Sequence, residues 1–558
     1  MSDAEETEEA EDERQDGPRM SPIDGAFGAQ NGEPDFDDSP TTPSDGRVRL
    51  SDEEEAVLDR IEQLETGDPP EPYPHDEAGG TAYVPVGDSM LPYLERRRQD
   101  GKGFTVNDKR LYWWVEDSLQ PQHPWILLNP TTLANRNYHY NAGICRDFID
   151  ADRGEAFVLA DSGGFQIVRH RDMEITYDPN QHDWETALNP ERVVEWQIAN
   201  ADAGTILDIP VYQAFEDDAD QPHDGFGSNQ FGEWKEDIFE KHLSITAKNA
   251  DKAIDRWNDI DYDGFDLMGV LHGMPRQDGN GDVLEVYDEW YNTIQDKHDF
   301  RGWSLACRYG DRPGLVALLL GYAAENIDAE FLHVLGQGNV WARVLSKLYA
   351  QENDAFVTMD GTGFKIGSMF STMYIPTTYM KSIRMTDRDD ENSDTRYEKL
   401  AAERMPCGCV VCRQVENQIG GKELFEKPGT ERMVLMDLHN LNHLLRRFYL
   451  LDSFVTARGR DLLNEVEINR VSDASVPVEI DAKSEFWRIL KSWLSKARVA
   501  ELYYCMDLVV RASDGDLEEA IDDYWFRTPF FEESPGGHRQ ESAPSIFRDT
   551  TNSVFDWD

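Results

Sequence analysis

Hydrophobic positions come in short dense runs through the middle of this chain, separated by longer stretches with helical spacing. PWILLNP (124–130), FVLAD (157–161), GTILDIP (204–210), FDLMGVLHG (265–273), RGWSLACR (301–308), EFLHVLGQG (330–338) and DAFVTMDGTG (354–363) each read as a buried strand stopped by turn residues. Between them lie helical patterns: PERVVEWQIANAD after an Asn189-Pro190 start, a long amphipathic stretch at about 234–257, RPGLVALLLGYAAEN (312–326) and NVWARVLSKLYAQ (339–351). Short buried strands alternating with helices predict a parallel sheet. Polar residues at several strand ends favour a TIM-type (β/α)8 barrel over an open sheet.

The flanks differ. Residues 1–45 are rich in acids, Gly, Pro and Ser and predict a disordered acidic N-terminus. An N-terminal extension, 46–120, holds a helical pattern at 51–65 with a Ser51/Glu54 capping box and then a Pro- and Gly-containing link. The barrel is expected over 121–384, a zinc-binding subdomain with a return helix over 385–450, and a helical C-terminal region over 451–558. In that last region FVTARGRDLLNEV and SEFWRILKSWLSKARVAELYYCMDLVV read as helices. Residues 487–498 combine basic and aromatic side chains, which fits either a nucleic-acid face or an amphipathic core helix.

Composition changes the picture in two ways. Hydrophobic residues are 39% of the 558, enough for a large core, yet the formal net charge is −55 and is spread along the length. Such a surface repels itself in dilute buffer and suits molar salt, so a halophilic source is expected. A basic footprint for nucleic acid is missing. In molar salt, however, counterion release contributes little to affinity, and the acidity counts only weakly against a nucleic-acid substrate. There is no transmembrane run, signal peptide, GxGxxG or P-loop, so a cytoplasmic protein with no membrane partner and no nucleotide cofactor is expected.

Candidate chemistry centres on FVLADSGGFQ (157–166). Asp161 closes a buried strand, and Gly163 and Gly164 permit a tight turn that a ligand can approach closely. A turn cap is the competing role for that acid. A second constellation lies downstream: Cys407, Cys409 and Cys412 form C-x-C-x-x-C, with His439 and His443 following. Clustered cysteines with a histidine fit a closed structural zinc site.

DSGGFQ resembles the signature of the tRNA-guanine transglycosylase superfamily, whose members exchange a guanine in a polynucleotide for a 7-deazaguanine. The C-x-C-x-x-C run followed by His439-Asn440 is similar to the zinc motif of the same family, and the two motifs span about 120–450. The resemblance implies that Asp161 is the acid/base and binds the incoming base. It implies a substrate-binding turn of Ser162, Gly163, Gly164, Phe165 and Gln166, with Phe165 stacked on the base. Asp208 becomes the second base-reading acid, His272 stands where the family has a glutamine, and Leu335-Gly336 pack on the ring. The zinc (Zn2+) ligands are Cys407, Cys409, Cys412 and His439. The family's nucleophile position departs here, since alignment on Phe356 puts Val357 there. Asp360 is the acid at that strand end and takes the role of nucleophile, the alternative being a site that has lost it.

The altered barrel motifs look most like the DNA-modifying paralogues, which insert a base such as preQ0. The expected partners are therefore DNA, with tRNA as the alternative, and the free 7-deazaguanine. A homodimer or accessory subunit and a non-catalytic binding protein of this fold are further alternatives.

Overall fold

The structure is a computed structural model. It describes residues 80–87, 105–106, 109–110, 113, 123–130, 156–164, 189–210, 236–272, 284–306, 313–361, 363–365, 372–374, 382–384, 411–412, 429–470, 478–494 and 496–521. Eight parallel strands form one sheet: β1 (Thr81–Pro85), β2 (Trp125–Leu128), β3 (Phe157–Ala160), β4 (Ala203–Thr205), β5 (Asp266–His272), β6 (Gly302–Ala306), β7 (Phe331–Leu335) and β8 (Phe356–Gly361). Each strand pairs with the next in sequence from β2 to β8, and β8 pairs with β1. A parallel Val86–Leu127 bridge and a 2.8 Å bond from Gly87 N–H to the Leu127 carbonyl bring β1 against β2. The sheet thus curls into a nearly closed barrel of the TIM type.

Seven of these strands are the predicted ones. β1 is not: it comes from residues assigned to the N-terminal extension, so the barrel begins ahead of residue 121. Thr81-Ala-Tyr-Val-Pro follows two glycines, ends in a proline and is short for a periodic pattern, but β8 and β2 cover both its edges.

Helices follow the strands. α1 (Pro190–Asn200) comes after β3, α2 (Glu236–Ile260) after β4, α3 (Glu285–Gln295) after β5, α4 (Pro313–Asn326) after β6 and α5 (Val340–Asn353) after β7. Asn189 caps α1 by accepting from Glu191 N–H, with Pro190 in the first turn, as the sequence predicts. α3 was not predicted; Val286, Tyr287, Trp290 and Ile294 give it a buried face, and Trp290 Nε1 donates to the Val270 carbonyl of β5 at 2.8 Å.

The last helix of the ring, α6 (Gly429–Arg458), returns after β8 and the small antiparallel pair β9 (Thr372–Tyr374) and β10 (Ser382–Arg384). Asp452 of α6 accepts from Arg343 Nε of α5 at 2.9 Å and from Thr81 Oγ1 of β1 at 3.3 Å. One carboxylate therefore joins the first strand to the last two helices of the ring. Arg343 is fully buried, and its guanidinium lies over the Phe448 ring.

Inside the barrel, alternate residues make an apolar cluster at the N-terminal strand ends. Trp125, Phe157, Phe331 and Phe356 fill it, with Trp125 stacked on Phe356 at 5.5 Å between ring centroids. The opposite, C-terminal end carries the polar groups.

After α6 the chain makes a short 3-10 turn (Gly459–Glu465), a hairpin of β11 (Val466–Arg470) and β12 (Val478–Ala482), and helices α7 (Glu485–Trp493) and α8 (Lys496–Ser513). The hairpin corrects the wholly helical reading of this region. α8 packs on α4 and accounts for the apolar run around the whole circumference of α4: one face meets the barrel, the other meets α8. A β-carbon on Gly321 would lie 2.9 Å from Leu508 and from Leu517, so the glycine lets the two helices close. In the 487–498 stretch Trp487, Ile489, Leu490, Trp493 and Leu494 are buried, and Arg498 pairs with Glu501 beneath the surface. Of its two expected roles, this stretch fills the core-helix one. No described helix is long and apolar enough to cross a membrane.

Candidate active site

Three carboxylates meet at the C-terminal mouth of the barrel. Asp161 follows β3 directly, its N–H donating to the Leu128 carbonyl at 2.8 Å as if the ladder ran one residue further. Its Oδ2 accepts from Asn129 Nδ2 at 2.6 Å and its Oδ1 from the Ser162 N–H at 2.7 Å. Asp208 lies three residues beyond β4. Its Oδ1 accepts from Ser162 Oγ at 2.6 Å, and its Oδ2 contacts His272 Nε2, at the end of β5, at 2.5 Å. Asp360 is on β8 opposite Val84 of β1, and its Oδ1 accepts from the Gly336 N–H at 2.6 Å.

The glycine turn fits this crowding. Gly163 has φ +83°, a conformation L-residues rarely adopt. A β-carbon on Gly164 would sit 2.2 Å from the Asp208 carbonyl oxygen and 2.7 Å from Asp208 Oδ1. Nothing larger than glycine fits between the DSGG turn and the second carboxylate. Ser162 is the hinge of the arrangement: its hydroxyl donates to Asp208 while accepting from the Gly164 N–H at 3.0 Å.

Burial is the main cause that pushes the Asp161 carboxyl up from its ordinary value, to about 7; the negative charges of Asp208 and then Asp360 add to it. The bonds from Ser162 and Asn129 act the other way and are outweighed. At neutral pH Asp161 is therefore divided between acid and base forms, which suits a group that first gives a proton and later takes one. Asp208 and Asp360 are both nearly buried. His272 is buried too, with its ring edge-on to Trp290 at 4.9 Å.

The other predicted residues divide into three groups. Leu335 and Gly336 close β7 beside Asp360, and Leu335 stands in register with Ala306 of β6, which is in register with His272. Phe165 and Gln166 lie outside the described residues, as does the Ser51/Glu54 capping box. Of the four expected metal ligands, Cys407 and Cys409 also lie outside them; Cys412 and His439 are side by side, with Sγ 3.2 Å from Nδ1. The His439 Nε2–H donates to the Tyr374 carbonyl at 2.8 Å, so in the neutral ring the lone pair is on Nδ1, which is turned to the sulfur. That is the orientation a metal-ligating histidine takes from an outer partner, and a thiol with an imidazole nitrogen is a donor set that suits zinc. Among the described residues no group of three possible ligands occurs.

Asn129 and His333 are two of the described polar residues in contact with the carboxylates that the sequence did not single out for chemistry. Asn129 could have been found by its place, at the end of β2 beside Asp161. His333 sits mid-strand in an apolar run and gives no such signal. Compared with known families and with curated proteins, the chain matches no family model and no curated protein.

Proposed function

We propose that this chain is a base-exchange transglycosylase that replaces guanine in DNA with a 7-deazaguanine of the preQ0 type. What carries the reading is the convergence of three carboxylates at the barrel mouth, one of them with its proton affinity raised to near neutrality.

Exchange at one sugar carbon needs a nucleophile, a proton donor to the departing base and a reader of the base edge. Asp360 attacks C1′ as the C1′–N bond of guanine breaks, and Asp161 gives its proton to the leaving base. An aspartyl–sugar ester results. The incoming base then attacks C1′, the Asp360 ester bond breaks, and Asp161 takes the proton that the new base loses. Asp208, fixed by Ser162 and His272, still has lone pairs to accept from N1–H and the exocyclic amine of a guanine-like ring. The target nucleotide must leave a duplex to reach this mouth, or be single-stranded.

Zinc on Cys407, Cys409, Cys412 and His439 would tie the segment between β8 and α6 to the barrel and take no part in the exchange. DNA is favoured over tRNA because the barrel motifs depart from those of the tRNA enzymes towards the DNA-modifying paralogues.

Radiolabelled guanine or preQ0 incubated with matched DNA and tRNA, at moderate and at molar salt, tests the reading. Label enters DNA with the native chain and not with Asp360→Ala. Label in tRNA alone keeps the chemistry and overturns the polymer. Label in neither, from a folded sample, overturns the enzyme and leaves a nucleic-acid-binding or partner subunit of this fold.

A further inference from the structure

Below the three carboxylates the barrel interior is polar on one side. Ser304 of β6, His333 of β7 and Thr358 of β8 stand in register, all fully buried, and the Ser304 hydroxyl meets Thr205 Oγ1 of β4 at 2.6 Å. Barrel layers of this kind are usually filled by branched apolar residues, and burying polar groups there costs stability unless they are satisfied.

His333 lies between two partners on β8. Its Nδ1 is 2.9 Å from Thr358 Oγ1, and its Nε2 is 3.3 Å from Asp360 Oδ1. Asp360 Oδ1, which also accepts from the Gly336 N–H, brings no proton of its own when ionised. The contact is favourable only if Nε2 carries one; two facing lone pairs in a dry site would repel. The Thr358 hydroxyl has one proton and two acceptors in reach, His333 Nδ1 at 2.9 Å and the Leu332 carbonyl at 3.3 Å; given to the nearer Nδ1 it leaves the proton of a neutral ring on Nε2, and given to Leu332 it accepts from Nδ1–H, so that Nε2–H then requires the doubly protonated ring. At 3.3 Å the Nε2 contact is within reach but not aligned as a hydrogen bond, a looseness common in sites that tighten around substrate.

We propose that His333 is a positioning residue for Asp360: its Nε2–H holds Oδ1 together with the Gly336 amide and leaves Oδ2 as the attacking oxygen. The role rests on Asp360 being the nucleophile of the proposed exchange. The titratable groups facing this pair are Asp161 after β3, Asp208 after β4 and His272 on β5. From β1, Tyr83 donates to the Gly361 carbonyl at 2.6 Å. No arginine or lysine takes the place of His333 among the described residues at the mouth, so the imidazole is the side chain that answers the charge of Asp360.

The test uses the full chain labelled with 15N at histidine. The ring nitrogens of His333 are assigned by their loss in His333→Gln and read by NMR. Nε2 is expected to be protonated and to shift in Asp360→Asn. In the exchange assay His333→Leu is expected to be about tenfold slower, with the acidic limb of its pH–rate profile about one unit higher; His333→Gln, which can present an N–H, recovers most of both. Thermal unfolding checks that the variants are folded. A bare Nε2 in the native protein overturns the proposal, and so does a His333→Leu profile that keeps the native limb. A protonated Nε2 coupled to Asp360 in a protein that exchanges no base supports the pairing and overturns the transglycosylase reading instead.

Discussion

Replacing Asp161 by Asn should make the protein more stable and inactive at once. The carboxyl is held near 7 in the folded chain against 3.8 for the ordinary group, a displacement of about 3 units. At about 1.36 kcal/mol per unit, ionising it costs the fold about 4 kcal/mol; water reaching the mouth brings the expectation to about 2–4 kcal/mol. The sign follows from a folded value above the unfolded one: the protonated acid favours the fold, fully so below about pH 4, and that advantage is lost as pH rises through about 7. Asn cannot ionise and has no such loss. Asn129 need only turn its amide to present oxygen to the new side chain. Urea unfolding followed by tryptophan fluorescence at pH 5, 7 and 9 should therefore put the variant ahead by only about 1 kcal/mol at pH 5. At pH 9 the variant should be ahead by about 2–4 kcal/mol, with base exchange gone throughout. A difference between the two proteins that stays constant from pH 5 to 9 would refute the assignment of a strained carboxylate.

Gly164→Ala should cost about 1–3 kcal/mol and displace Asp208, since its β-carbon would overlap that residue's carbonyl; base binding measured by calorimetry falls while the barrel stays folded by circular dichroism. Removing one partner of the buried Arg343–Asp452 pair, as in Arg343→Met, should cost about 3–5 kcal/mol in urea, and the double variant with Asp452→Leu should recover part of it. Metal analysis of the purified chain should find zinc, and Cys412→Ser or His439→Ala should lower its content; a native protein free of zinc after refolding with the metal would remove the Cys407, Cys409, Cys412 and His439 site.

Sequence pattern revealed the elements whose burial is one-sided or total. Trp125–Leu128, Phe157–Ala160 and Asp266–His272 are dense apolar runs with turn residues after them, and a strand enclosed by sheet on both edges reads that way. β1 escaped because five residues that follow Gly80 and end in a proline carry too little pattern, and its partner β8 lies about 275 residues further along the chain, Thr81 standing opposite Val357. The β11–β12 hairpin escaped for another reason: VEINR and VEIDA do alternate apolar with polar residues, but each is only five residues long and lies next to stretches with strong helical spacing. At the site, Asp161, Asp208 and Asp360 were legible because each closes a short apolar run in the sequence. His333 was not, because its meaning comes from Thr358 and Asp360 on a neighbouring strand, and register is a property of the fold.

The clasp of Thr81 and Arg343 on Asp452 also bears on how the chain reaches its native state. The Thr81–Asp452 bond spans 371 residues, and the barrel seam between β1 and β8 can form only after nearly the whole barrel has left the ribosome. Until then β1 has no β8 to pair with, and the growing sheet exposes an unpaired parallel edge, a template for unwanted association. Contacts of such long range slow folding. A chain cut before Asp452 would keep all eight strands and lose the latch, so truncation there should yield an aggregating product rather than a smaller barrel.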